Sequence, residues 1–274
     1  MFFITKLRNL AHNKSSIKWA KRFHISKFLR NLYTLVRFPC KKIVTLSAGG
    51  LKGKFRAERR YQLWAVEKIF LEKNEGELFI LESMLEAIQE GDCILDIGAN
   101  IGIYTVFLAQ KVGPPGCVVA IEPEIYNFNR LKANIRLNSL TNVIPELIAL
   151  GDSILQKKIY VKSVESTLIE TNIHENVPSY FVHVMPGDQL IAQKQIPVPK
   201  ILKIDVEGFE YQVVKGLRKT LSDRRCKMVC IEVHPRKFPK GVKEEDIFGI
   251  MESSGFNLTN KISRRSVYHS IFHK

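Results

Sequence analysis

The chain has 274 residues, 45% of them hydrophobic, an ordinary share for a globular protein with a packed core, and it carries no repeat or low-complexity tract. Its formal charge of +15 is unevenly placed: residues 1–60 hold sixteen Lys and Arg against one acid, Glu58, while residues 61–274 hold 26 basic and 26 acidic residues. No apolar run reaches 18 residues, which argues against a membrane-crossing helix, and none of the five cysteines stands in a C-x-x-C pair, which argues against structural zinc.

Residues 1–60 read as a basic amphipathic extension and residues 61–274 as the main domain. Ile25, Phe28, Leu29, Leu32, Leu35 and Val36 recur at helical spacing, with Lys27, Arg30 and Arg37 between them. Four readings of this arm stand open. It can lie on an anionic membrane surface, serve as an organelle transit peptide, hold nucleic acid, or pack on the main domain with its lysines in water. The run Gly49-Gly50-Leu51-Lys52-Gly53-Lys54 predicts a flexible joint or a hairpin turn. Two helical patterns follow, at 63–70 and 78–88.

The stretch 93–105 organises the rest. It opens as an apolar strand, turns through Gly98 and Gly102, and continues as a helix marked by Tyr104, Phe107, Leu108 and Lys111. Glycines let the backbone approach a ligand, and the helix start offers unpaired N–H groups. The next strand, 117–122, ends in Glu122, 24 residues after Gly98, near the spacing at which an acid accepts hydrogen bonds from a ribose. Ile103 stands where a dinucleotide fingerprint would place its last glycine, and Asp96 directs a negative charge toward the loop. A carboxylate there suits the ammonium of an amino acid better than a pyrophosphate. An adenosine that carries an amino acid is S-adenosylmethionine (SAM).

Further along, a helix is expected at 125–138 and a third strand at 143–150, closed by Gly151 and Asp152. Residues 153–199 alternate weakly, with strand-like runs at 159–164 and 180–185, where substrate-contacting insertions often sit. A fourth strand at 200–204 ends before Asp205, followed by a helix at 209–217. A fifth strand at 227–233 leads to His234, then a helix at 244–253 and a final antiparallel pair at 256–259 and 266–272. Cys93, Cys117, Cys226 and Cys230 sit in or beside the apolar strands, so they are expected as free thiols in a reducing compartment.

Asp96-Ile97-Gly98-Ala99-Asn100-Ile101-Gly102, Ile121-Glu122-Pro123 and Leu202-Lys203-Ile204-Asp205-Val206-Glu207-Gly208-Phe209-Glu210 together resemble the FkbM family of SAM-dependent methyltransferases, in order and spacing, over roughly residues 77–256. The resemblance implies a Rossmann-like α/β sheet, mostly parallel, of seven strands with the last one antiparallel. It also implies O-methylation, often of hydroxyls on sugars or secondary metabolites, with helices ahead of the first strand covering the cofactor mouth. It puts Asp152 near the adenine; a plain turn aspartate is the other reading.

Asp96, Glu122, Asp152, Asp205 and Glu232 all fall at strand ends, where open α/β sheets bind ligands. The expected cofactor set is Asp96, Gly98, Asn100, Gly102, Thr105, Glu122 and Asp152. The expected catalytic set is Asp205, Glu207 and His234. A neutral hydroxyl needs a base, which Asp205, Glu207 or His234 could supply. Asp205 or Glu207 could instead hold a divalent ion that acidifies the hydroxyl. Methylation of a base nitrogen fits less well, because no proline follows Asp205. An RNA methyltransferase guided by the arm and a non-catalytic binding protein are the competing functions. The balanced charge of 61–274 weighs against the first and the intact loop with Asp205 against the second. The expected place is the cytoplasm, with peripheral membrane contact through residues 1–60 and a transit peptide left open.

Overall fold

The structure, a computed structural model, describes residues 43–56, 76–162, 165–169, 177–264 and 267–274. The helical patterns at 25–36 and 63–70 lie outside the described residues. The order of elements is β1 (Ile43–Ala48), β2 (Leu51–Arg56), α1 (Glu77–Ala87), β3 (Cys93–Ile97), α2 (Ile103–Val112), β4 (Cys117–Ile121), α3 (Ile125–Leu137), β5 (Val143–Glu146) and β6 (Ala149–Gly151). There follow β7 (Leu155–Lys162), β8 (Glu165–Thr167), β9 (Ser179–Pro186), α4 (Gly187–Gln193), β10 (Ile201–Ile204), α5 (Glu210–Lys215) and α6 (Arg218–Ser222). The chain closes with β11 (Met228–Val233), α7 (Glu244–Ser253), β12 (Asn257–Arg264) and β13 (Val267–His273).

Seven strands form the main sheet in the order β12-β13-β11-β10-β3-β4-β5. The pairs β10–β11, β10–β3, β3–β4 and β4–β5 are parallel, and β13 runs antiparallel to both its neighbours. This is the predicted sheet. Its central strands are largely apolar because helices cover both faces: every residue of β3 and β10 is buried, including one charged residue in each, Asp96 and Lys203. From β3 the chain builds outward through β4 and β5, and from β10 in the opposite direction. The switch point therefore lies between β3 and β10, where such sheets place ligands.

Three expectations change. The predicted third strand, 143–150, divides into β5 at the edge of the main sheet and β6 in a second, four-stranded sheet ordered β6-β9-β7-β8. Pro145 has no N–H to donate and suits an edge strand. The predicted helix at 209–217 is two helices, α5 and α6, that part at Gly216, where a Cβ would lie 1.7 Å from the carbonyl oxygen of Gly151. Cys93 and Cys117, expected as free thiols, are joined as a disulfide across the β3–β4 register, while Cys226 and Cys230 are free and buried. Their separation of 24 residues has no motif in it; only the pairing of the strands brings them side by side.

Residues 43–56, within the segment 1–60 read as a basic amphipathic extension, form a hairpin packed on the body of the fold; of the flexible joint or hairpin turn expected at 49–54, the structure shows the hairpin turn. It turns at Gly49 and Gly50, both at positive φ. Val44, Leu46, Ala48 and Phe55 alternate inward, and Phe55 meets Phe107 of α2 with ring centroids 6.0 Å apart. The backbone N–H groups of Lys54 and Arg56 donate to the side-chain oxygens of Asn138 and Asn134 at 2.8 Å each. The period of two was present in the sequence, but Lys52, Lys54 and Arg56 drew the segment toward the basic arm. Among the described residues no helix is long and apolar enough to cross a membrane.

Candidate active site

At the switch point the loop after β3 is pressed onto the end of β10. The N–H groups of Gly98 and Ala99 both donate to the Ile121 carbonyl at 2.9 Å, and Asp205 N donates to the Ile97 carbonyl at 3.0 Å. Gly98 has φ +78°, and a Cβ on it would lie 1.8 Å from the carbonyl oxygen of Asp205. The glycine is thus required by the neighbouring strand, not only by a ligand. Gly102 has φ +86° and packs on Leu131, which a Cβ would approach to 2.6 Å. Above the loop opens a cleft bordered by Gly98, Asn100, Glu122, Pro123, Asp205, Glu207 and Phe209, with Ile159, Ser166 and Leu168 contributed by the 153–199 insertion.

Glu122 stands at the end of β4 with its carboxylate anchored by backbone. Oε2 accepts from Asn100 N and Oε1 from Glu124 N, each at 2.8 Å. Burial pushes its pKa up to about 7, against the pull of those two N–H groups. Asn100 sits at φ +53°, which presents its N–H to Glu122. The other expected cofactor residues fall elsewhere. Asp96 is fully buried; its Oδ2 accepts from Thr105 Oγ1 at 2.6 Å, and its Oδ1 lies 3.6 Å from Lys203 Nζ. Asp96, Gly102 and Thr105 do not border the cleft. Nor does Asp152, which pairs with Lys215 at 2.7 Å, an interaction that lowers its pKa.

The three residues of the expected catalytic set do come together. Asp205, Glu207 and His234 bring ligand atoms within 4.8 Å of one another. His234 Nε2 lies 3.2 Å from Glu207 Oε2, and Nδ1 lies 2.7 Å from Oε1 of the fully buried Glu210. Burial disfavours a charged His234, but the hydrogen bond to Glu210 and the charges of Glu210, Glu207 and Asp205 outweigh it and push the pKa up to about 10. At neutral pH His234 is a cation, not the free base that its ordinary pKa suggests. Glu207 also pairs with Lys237. Its backbone is held at φ +56° by Thr167 of the insertion, whose hydroxyl donates to the Glu207 carbonyl at 2.9 Å.

Lys203 was not among the predicted site residues, although a basic residue inside an apolar buried strand was a visible signal. Its Nζ donates to the Gly98 carbonyl at 3.0 Å and stands 3.5 Å from Asp205 Oδ2. On its far side a smaller void is bordered by Glu77, Tyr104, Lys203, Glu232 and His269. Burial, together with the charges of Asp205 and Glu77, pushes the Glu232 carboxyl up to about 9, so it is protonated at neutral pH. Glu77 and His269 were beyond sequence reasoning, since helix packing and the Glu232–His269 strand register place them there.

Glu77, Glu232 and His269 also lie within 4.8 Å of one another. In both groups cations already stand among the carboxylates: Lys203 at Asp205, Lys237 and His234 at Glu207, and Lys203 again on the second void. Metal ligands must be deprotonated. The donors fit an ion-paired network, so the expected divalent ion is not carried into the chemistry below.

Residues 96–258 match the methyltransferase FkbM domain. Over 208 residues the chain is 30% identical to the hexuronic acid methyltransferase AglP of Haloferax volcanii, a match that covers 73% of this chain and 82% of that protein. A tRNA(Phe) (4-demethylwyosine(37)-C(7)) aminocarboxypropyltransferase of Methanocaldococcus jannaschii is 30% identical over 154 residues, 51% of this chain and 59% of that one. Among solved structures, a methyltransferase FkbM from Methylobacillus flagellatus superposes with a TM-score of 0.50 at 16% identity, over 68% of this chain and 44% of that chain.

Proposed function

From the premise that the chain belongs to the FkbM methyltransferase family, we propose that it transfers the methyl group of SAM to an oxygen of a sugar, glycan or secondary metabolite. One observation carries the reading: Glu122 and Asp205 border a single cleft at the switch point of the sheet, an anchored carboxylate on one wall and an ionised one on the other. The hexuronic acid activity named for the Haloferax relative supports a sugar acceptor. The charge balance of residues 61–274 weighs against RNA.

The cleft fits the cofactor. Each oxygen of Glu122 accepts one backbone N–H and keeps a lone pair for a further donor, which suits the two hydroxyls of a ribose. Gly98 and Asn100 would bound the amino-acid side. Bound there, SAM supplies an electrophilic methyl group and a neutral thioether leaving group.

The chain's own residues orient the acceptor and take its proton. Lys203 holds Asp205 below its ordinary carboxyl range against the effect of burial. A carboxylate so stabilised is a weak base, so its larger contribution is alignment of the hydroxyl, a term that can supply much of a rate enhancement. It receives the proton only as the new C–O bond withdraws electron density from the hydroxyl. His234 and Lys237 hold Glu207 in place beside it. Glu232 is protonated and cannot serve as the base at neutral pH.

The test is transfer of label from methyl-labelled SAM to a panel of uronic acids, neutral sugars and small phenols. Label on an acceptor oxygen, lost in Asp205→Asn, is the expected result. Label on tRNA and on none of the small acceptors would overturn the acceptor class.

A further inference from the structure

Lys203 places its ammonium between Gly98 and Asp205, two residues that border the cleft. Its strand pairs in parallel with β3, with Lys203 opposite Asp96, so its side chain runs beside that carboxylate toward the strand ends. There Nζ donates to the Gly98 carbonyl at 3.0 Å, lies 3.5 Å from Asp205 Oδ2 and 3.6 Å from Asp96 Oδ1, and sits 5.1 Å from the centroid of the Tyr104 ring. The residue is 7% exposed. Burying a lysine is costly unless its charge is met, and here it is met by groups from three elements. A structural ion pair needs one partner; this ammonium is shared between a carbonyl of the loop after β3 and the carboxylate after β10.

We propose that Lys203 is a positioning residue of the transfer site: its ammonium ties the Gly98 carbonyl to the Asp205 carboxylate and fixes the cofactor loop and the acceptor-orienting group relative to one another. The role rests on the proposed function only in taking Asp205 as the group that meets the acceptor. The direct contact of Gly98 with the Asp205 carbonyl supports it, since the loop and the strand end already move as one unit at the backbone. Electrostatics agree in direction. Burial works against the Lys203 charge, but Asp205 and then Asp96 raise its pKa, with Glu77 and Glu232 adding from α1 and β11. Asp205 is held below its ordinary value by Lys203 first, then by His234 and His269.

The experiment uses the full chain with Lys203→Met and Lys203→Arg. The readouts are the titration of the Asp205 carboxyl carbon by NMR and SAM affinity by calorimetry. In the wild type Asp205 is expected to titrate below 3.8. In Lys203→Met the titration is expected to rise above the wild-type value, and SAM affinity to fall about tenfold, as the loss of a charge-assisted tie implies. Lys203→Arg, which keeps the charge, is expected to restore the low titration but not the full affinity. An Asp205 titration equal in wild type and Lys203→Met overturns the proposal. If Lys203→Met does not fold, a wild-type titration at or above 3.8 overturns it alone. Neither readout requires methyl transfer. Activity lost in Asp205→Asn beside an unmoved titration in Lys203→Met would leave the proposed function standing and remove Lys203 from it.

Discussion

The Cβ that Gly98 lacks would lie 1.8 Å from the carbonyl oxygen of Asp205. The cofactor loop and the strand that carries the orienting carboxylate are therefore in backbone contact, with no room for a side chain between them. Gly98→Ala should be costly twice over, through the φ of +78° and through that overlap. A loss of about 2 kcal/mol or more is expected, with SAM affinity lowered in whatever folds. Thermal unfolding with and without SAM checks it; an unchanged melting temperature would contradict the packing described.

Glu122 sets a pH dependence for cofactor binding. Its free-state pKa of about 7 lies above the ordinary 4.5, because burial favours the neutral acid. Ribose hydroxyls donate to the ionised form, so SAM affinity should rise as pH increases through about 7 and level off above it. Below that, each unit of pH should cost up to about tenfold. Glu122→Ala should cost on the order of 1.5–3 kcal/mol and abolish the slope. Calorimetry at pH 5.5, 7 and 8.5 decides. A flat profile in the wild type would remove Glu122 from the ribose site.

His234 sets a pH dependence for stability. Its folded pKa is about 10, raised from 6.5. The stabilisation is then fully present below pH 6.5 and is lost as pH climbs through 10, because the folded state holds the proton more tightly than the unfolded one. Denaturant midpoints should fall between pH 6.5 and 10 by an amount worth a few kcal/mol, and His234→Gln should lose most of that slope. A mutant that keeps the wild-type slope would place the titration elsewhere.

Residues 1–42 hold eleven Lys and Arg and no acid. Each basic residue near an anionic leaflet contributes about 1 kcal/mol within a Debye length of roughly 8 Å. Five facing a membrane would contribute about 5 kcal/mol, binding of roughly 0.2 mM, to which insertion of Phe28, Leu29 and Leu32 would add. A chain shortened to begin at Ile43 keeps the hairpin, whose Phe55 is fully buried, and should keep its SAM site. It should no longer float with anionic liposomes, while the whole chain should float at low salt and less at high salt. Equal flotation of the two would end the idea of the arm as an anchor.

The parts of the fold that were legible were those written in local pattern. The apolar runs of β3, β4, β10 and β11 and the turns at Gly98 and Gly102 marked the sheet, and of the carboxylates expected at strand ends Glu122 and Asp205 border the cleft while Asp96 and Asp152 do not. Asp205, Glu207 and His234 converge because each sits at or just past a strand end, so the strand positions alone brought them together. What escaped depended on partners distant in the chain. Asp96 reads as a loop-facing charge until Thr105 and Lys203 are seen to occupy it. His234 reads as a base until Glu210, Glu207 and Asp205 surround it. Lys203 reads as a strand residue until the Gly98 carbonyl stands 3.0 Å away. The disulfide between Cys93 and Cys117 follows from strand register, which no spacing rule encodes.

The most direct measurement is the effect of Asp205→Asn on transfer and on cofactor binding in the same preparation. Asn keeps the shape, donates where a carboxylate accepts, and cannot take a proton. Turnover with labelled SAM and the best acceptor should fall by about 10²–10⁴-fold, while SAM affinity changes by no more than a few-fold. Normal turnover in the mutant, or an equal loss of SAM binding and turnover, would contradict the assignment of Asp205 to the acceptor.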